Sequence, residues 1–116
     1  MTVYGVSQTS GVERRLKVER GGQGVVLTIV DHVGNKEQDR ILVSEDDILA
    51  AVMDRPAGGL TVEGTSPIHG TKIQLDVEVR RNEVLLRTHV ASVTGTDVAV
   101  GLDDFQDALE GVITKT

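Results

Sequence analysis

The sequence matches itself when it is shifted by about 59 residues, and this internal repetition constrains the fold more than any other feature. Beyond the third predicted strand the shift falls to about 57 residues, and the pair Asp46-Asp47 then meets Asp103-Asp104. The earlier matches join Thr2-Val3 to Thr61-Val62, Gly5 to Gly64, Leu16 to Leu75, and Val18 to Val77. The sequence therefore predicts a single domain over 1–116 with pseudo-two-fold symmetry, made of a first repeat over 1–57 and a second over 58–116.

Each repeat has the pattern of four strands followed by one helix. Short runs rich in β-branched residues alternate with polar residues, as half-buried strands do. The predicted strands are about Thr2–Val6, Arg14–Arg20, Val25–Val30 and Arg40–Val43, then Leu60–Glu63, Thr71–Val79, Val84–Val90 and Asp97–Val100. The predicted helices are about Glu45–Asp54, capped by Ser44 and ended by Pro56, and about Leu102–Ile113.

The fold class that follows is α+β, with two tandem ββββα repeats. A single copy of ~58 residues would leave much of its apolar surface exposed. Two copies can pack their antiparallel sheets around a shared core that contains both helices. The spacing of four apolar residues predicts the buried face of the second helix: Phe105, Ala108, Leu109 and Val112.

Composition limits the classes of function. The chain has no Cys, which excludes disulfides and zinc-thiolate sites, and no apolar run approaches the roughly 18 residues of a membrane span. A cytoplasmic location without a membrane partner is the expectation. The net charge is −6, but eight of the 18 acidic residues fall in the two predicted helices or at their ends. The strands and loops are therefore close to neutral or slightly basic.

The stretch Gly24–Asp31, the polar hairpin after it, and Ile41–Ser44 before an acidic helix start together resemble the Whirly and positive-cofactor-four superfamily. Members of this superfamily bind single-stranded nucleic acid. They are built from ββββα units, which pair as a homodimer in the coactivator branch and are fused in the Whirly branch. The resemblance implies that this chain is a fused pair whose open sheet face binds single-stranded DNA or RNA.

The alternation of the strands identifies candidate binding residues. If Leu16 and Val18 face the helices, the residues between and beside them face away. The predicted nucleic-acid-binding residues on this outward face are Arg15, Lys17, Arg40, Arg80, Arg87 and His89. Thr28 is a further candidate for the outward face of the first half. Tyr4 is the one aromatic side chain available for base stacking, because Phe105 is committed to the helix core. The alternative interpretation of this surface is a solvated sheet face of balanced charge, since the acidic residues Glu19, Asp76 and Glu78 lie on or near it.

The alternative function is an acidic protein-interaction or oligomerisation module, with a protein partner or a second copy bound at exposed strand edges or apolar helix faces. The sequence does not predict an enzyme, a cofactor or a metal site. His32, His69 and His89 have no metal-ligand spacing, and no motif for nucleophilic or phosphoryl chemistry is present. The acidic pairs at the helix starts are explained by the helix dipole alone.

Overall fold

The computed structural model of the protein describes residues 1–22, 24–54, 57–91 and 93–113. Pro56, the predicted end of the first helix, lies outside these ranges. The strands are β1 (Thr2–Val6), β2 (Glu13–Gly21), β3 (Gly24–Asp31), β4 (Glu37–Ser44), β5 (Leu60–Thr65), β6 (Lys72–Arg80), β7 (Glu83–Val90) and β8 (Val93–Gly101). The helices are α1 (Glu45–Met53), between β4 and β5, and α2 (Leu102–Ile113), after β8.

The eight strands form one closed antiparallel barrel in sequence order. Each strand pairs with the next, and β8 returns to β1 through Gly5 opposite Val100 and Val6 opposite Ala99. The predicted fold class, two ββββα repeats with separate sheets packed around the helices, is therefore wrong. Period-two alternation marks which face of a strand is buried, but it is the same in an open sheet and in a barrel. The division into repeats at 1–57 and 58–116 stays a prediction.

The two helices lie at one end of the barrel. Both follow even-numbered strands, which run in the same direction, so we call this end the helix end. The α1 helix packs against β4, β5 and β6, and α2 packs against β1, β2, β7 and β8. Each helix thus crosses a seam where pairing is short: β4 meets β5 only through Leu42 opposite Thr65, and β8 meets β1 through two residue pairs. The buried helix residues Ile48 and Phe105 belong to the same core as the barrel interior.

Helix starts follow the local sequence. The Ser44 hydroxyl caps α1 by accepting a hydrogen bond from the Asp47 amide at 3.2 Å. Asp103 and Asp104 lie in the first turn of α2, where a negative charge interacts favourably with the helix dipole. The acidic residues of both helices therefore collect at the helix end.

The opposite end, which we call the loop end, carries the four connections from β1 to β2, from β3 to β4, from β5 to β6 and from β7 to β8. Here the buried carboxylate of Asp97 closes the seam between β8 and β1. It accepts hydrogen bonds from the Ser7 hydroxyl (2.8 Å), the Gln8 amide (2.8 Å), the Thr9 amide (3.3 Å) and the Thr9 hydroxyl (2.9 Å). Burial alone would raise the pKa of Asp97, but these hydrogen bonds outweigh it and hold the pKa below its usual value.

Arg14 adds a second link across the same region. Its guanidinium lies 3.1 Å from the Asp31 carboxylate and 3.6 Å from the Asp97 carboxylate, and it donates to the Asp97 carbonyl at 2.7 Å.

Because the barrel is closed, every strand has two neighbouring strands. Pairing between chains through exposed strand edges, one basis of the predicted interaction module, is not available in a closed barrel.

Candidate nucleic-acid interface

The six predicted binding residues divide into two groups on the outside of the barrel. The first group consists of Arg15 and Lys17 on β2 and Arg40 on β4, the two strands on either side of β3. Arg80 lies on β6, and Arg87 and His89 lie on β7. Because β3 and β7 are half a turn apart in the closed order of eight strands, the two groups face away from each other. The structure does not join them into one surface.

The first group forms a compact patch, which we call the basic face: Tyr4, Arg15, Lys17, Thr28 and Arg40. Across the strands, Lys17 lies opposite Thr28, and Thr28 lies opposite Arg40. These three side chains alternate with core residues and therefore point outward. Thr28 is nevertheless only 2% exposed. Cross-strand neighbours lie about 5 Å apart at Cβ, so the long flanking side chains can cover it.

Unpaired polar atoms are concentrated on the basic face. Among the described residues, three buried side-chain atoms have no hydrogen-bond partner: Arg15 Nε, Arg40 Nε and Thr28 Oγ1. A buried donor left without a partner costs about 1–3 kcal/mol. Guanidinium N–H groups and a hydroxyl are donors that suit a phosphate or carboxylate oxygen.

The outer atoms of the two guanidinium groups are held by neighbours on the same face. Arg40 Nη2 donates to Glu37 Oε1 at 2.6 Å, and Arg15 Nη2 donates to Asn35 Oδ1. Lys17 is exposed and has no salt bridge to another described residue. The patch therefore holds two positioned guanidinium groups and one free ammonium group.

An aromatic side chain adjoins these cations. Tyr4 lies opposite Arg15 across β1 and β2 and is 65% exposed. Its ring centroid is 5.9 Å from that of His32, and the two rings meet edge to face at 73°. Both line a cleft of about 310 Å³ with Gly5, Val6, Glu13 and Arg14.

His32 was not among the predicted binding residues. It follows the end of β3, and its amide donates to the Glu13 carbonyl at 3.0 Å, which brings its ring beside Tyr4. This contact joins the loop after β3 to strand β1, and the sequence carries no signal for it. Tyr4, in contrast, could be predicted from the sequence as the stacking residue, because aromatic residues are scarce in this chain.

Two of the three residues in the second group, Arg80 and His89, pair with carboxylates. Arg80 is hydrogen-bonded to Glu78, which raises the pKa of Arg80 and lowers that of Glu78. The pKa of His89 is raised, first by the Ala91 carbonyl at 3.2 Å and then by the Asp76 carboxylate at 3.2 Å from the other ring nitrogen. Asp76, Glu78, Arg80 and Arg87 line one cleft of about 210 Å³. A phosphate approaching this side would meet carboxylates as well as cations.

The described ranges were also searched for metal-ligand groups and for membrane-spanning helices. These residues include no group of three or more His, Asp or Glu side chains placed to hold a metal ion. No helix in the described part of the chain is long and apolar enough to cross a membrane.

The chain matched no protein-family model, and no curated protein or solved structure showed significant similarity to it.

Proposed function

We propose that the protein binds single-stranded DNA or RNA, in the cytoplasm, through the basic face. Arg15, Arg40 and Lys17 contact the phosphates, and Tyr4 stacks on a base. The observation that carries the proposal is the set of three buried, unpartnered polar atoms on Arg15, Thr28 and Arg40. Each of these atoms is a donor to which a phosphate oxygen would bind once the covering side chains move aside.

The net charge of −6 does not oppose binding at this place. Seven of the acidic residues lie in α1 and α2 at the helix end, whereas the basic face lies on the side of the barrel. Exposed charges separated by more than about 8 Å are largely screened at physiological ionic strength. Among the nearer carboxylates, Glu37 is already paired with Arg40 at 2.6 Å. Local rather than net charge therefore decides the interaction.

Affinity should be modest and should depend on salt. Three phosphate contacts on a single strand release counterions that give a slope of about −2 in a plot of log K against log salt concentration. One aromatic platform adds about 1–3 kcal/mol. Binding without a strong sequence preference is expected, because neither contact reads a base edge.

The test is a titration of a fluorescent oligothymidine by anisotropy at about 50 mM salt, where phosphate contacts are strongest. The expected result is saturable binding that weakens at least tenfold in the variant R15Q/R40Q. The matched control R80Q/R87Q removes the same number of charges from the opposite side of the barrel and should change the affinity by less than about twofold. Tyr4→Ala should weaken binding ~5-fold or more, while Tyr4→Phe retains it.

Two outcomes would reject the proposal. One is the absence of binding by the wild type at about 50 mM salt. The other is an equal loss in R15Q/R40Q and R80Q/R87Q, because it would mean that overall charge, and not the basic face, governs the interaction.

A further inference from the structure

Exposed aliphatic side chains collect at the loop end of the barrel. Each of its four connections carries one, at the tip or directly beside it: Val12, Val33, Ile68 and Val93. Val33 is 82% exposed, Val93 69% and Ile68 63%. The strand order brings them together, because all four connections between an odd-numbered strand and the next strand leave the barrel at this end. Aliphatic groups that share one face and remain in water indicate an interaction surface.

The loops around these side chains contain no carboxylate. The segments 7–12, 32–36, 66–71 and 91–94 carry one charged residue, Lys36, together with His32 and His69. The helix end is the opposite, with seven acidic residues in its two helices and no basic residue in the last turn of either. The two ends therefore differ: the helices carry many acidic residues, whereas the loops at the other end carry exposed aliphatic side chains and one charged residue.

Two of the loops are held rigidly. In the 7–12 and 66–71 loops the same backbone hydrogen bonds recur: Ser7 amide to Val12 carbonyl (2.9 Å), Gly11 amide to Ser7 carbonyl (2.9 Å), Ser66 amide to Thr71 carbonyl (2.8 Å) and Gly70 amide to Ser66 carbonyl (2.8 Å). Gly11 and Gly70 adopt positive φ angles of 74° and 71°, which favour glycine. A rigid loop loses little conformational entropy when its tip is buried, so Val12 and Ile68 are preorganised for a contact.

A lipid surface fits this end poorly. Interfacial binding relies on Trp, Phe or Leu side chains and on several cations, whereas these tips are Val and Ile with a single Lys. A protein surface that is equally apolar and uncharged fits better, and a second copy of this chain supplies one.

Charge and size both favour a second copy. Two loop ends that meet bring together two sets of loops that each carry one charged residue, Lys36, and they leave the acidic helix ends of the two copies at opposite extremes of the assembly. The repulsion between two chains of net charge −6 is then screened, because the acids lie far beyond about 8 Å from one another. The protein measures 34 × 34 × 27 Å, so the whole end, about 30 Å wide, has a cross-section on the order of 700 Å². A stable interface, which buries roughly 800 Å² on each partner, would take up all of this end.

We propose that the protein forms a symmetric dimer by end-to-end contact of its loop ends, with Val33, Ile68 and Val93 at the centre of the interface. This contact does not depend on nucleic acid and leaves the basic face, on the side of the barrel, accessible.

Sedimentation equilibrium over a concentration series tests the dimer. The wild type should show a monomer–dimer equilibrium, and V33D/V93D should weaken association at least tenfold. The matched control M53D/L60D places the same two charges on exposed apolar residues at the helix end and should leave the equilibrium unchanged within about twofold. Both variants change exposed side chains, and circular dichroism melting verifies that they are folded.

Several results would overturn the dimer. They are a wild type that remains monomeric at the highest concentration, a dimer that V33D/V93D leaves intact, or a dimer that M53D/L60D disrupts equally. A monomer that floats with anionic phospholipid vesicles would assign the loop end to a lipid surface and would also overturn it. The oligothymidine titration is read separately, so the two proposals can fail independently.

Discussion

Two rows of side chains occupy corresponding places on the two halves of the barrel, and their chemistry differs. On the first four strands the row is Lys17, Thr28, Arg40, and on the last four it is Asp76, Arg87, Asp97. In the first row two cations flank a neutral hydroxyl. In the second row two carboxylates flank one cation, so this row carries more negative than positive charge.

The next row toward the loop end differs in the same way. Tyr4, Arg15 and Val30 lie side by side on β1 to β3, where β5 to β7 have Glu63, Gln74 and His89. The first half thus combines an aromatic ring with unpaired donors, and the second combines a carboxylate with an amide and a histidine. Identical positions in a barrel can support ligand binding on one side and structural pairing on the other. The difference lies in which side chains have partners within the chain.

Reversing the first row should have the largest effect. The variant K17D/R40D gives this row the carboxylates of its counterpart and should weaken oligothymidine binding by more than about 100-fold, since each lost phosphate contact is replaced by repulsion. Its matched control, R80D/R87D, makes the same change in net charge on the other side and should reduce the affinity by less than about threefold. Anisotropy titrations measure both, and comparable losses would remove the distinction between the two rows.

Removing the charge of Asp97 tests the structural role of the second row. The variant Asp97→Asn cannot accept all the hydrogen bonds from the 7–9 segment, so the free energy of unfolding should fall by about 3 kcal/mol at neutral pH. Urea denaturation measures the change. The control Glu63→Gln alters an exposed carboxylate and should stay within about 0.5 kcal/mol of the wild type.

The loss of stability in Asp97→Asn should also depend on pH. Because the pKa of Asp97 is lowered in the folded protein, its stabilising effect is complete above the unfolded pKa of about 3.9 and is lost as the pH falls through the lower, folded value. The difference in unfolding free energy between the wild type and Asp97→Asn should therefore narrow in acid. A difference that stays constant down to about pH 2 would contradict an ionised Asp97 as the cause.

The smallest expected effect concerns His89. Its pKa is raised in the folded protein, so its contribution to stability is present below the unfolded pKa of about 6.5 and is lost as the pH rises through the folded pKa. The Asp76 partner is partly exposed, which limits the contribution to below about 1 kcal/mol. Thermal melts of the wild type and His89→Gln should differ most near pH 5.5 and converge near pH 8. Melts that diverge as the pH rises would contradict this assignment.

Local patterns in the sequence located most of the elements. The second helix was predicted over Leu102–Ile113 and is found there, and the burial of Phe105 and Leu109 is confirmed. The third predicted strand, Val25–Val30, lies within β3. The outward direction of Arg15, Lys17 and Arg40 also follows from alternation with buried neighbours, and Tyr4 was recognised as the available aromatic residue. These features depend on residues a few positions apart, where periodicity carries the information.

Tertiary structure alone decided how the strands close and which charges remain unpaired. The seam between β1 and β8 joins Ser7 to Asp97, 90 residues away, and no local pattern selects a barrel over two sheets. Closure turned Arg80, Arg87 and His89 away from the first group. The carboxylate partners of Arg80 and His89 are local by comparison, since Glu78 lies on the same strand as Arg80 and Asp76 lies across the β6–β7 hairpin from His89. It also gathered Val33, Ile68 and Val93 at one end. The sequence by itself determined which side chains face outward. Tertiary structure determined which distant strands lie side by side, because side-chain alternation shows which face of a strand is buried and carries no information about long-range pairing.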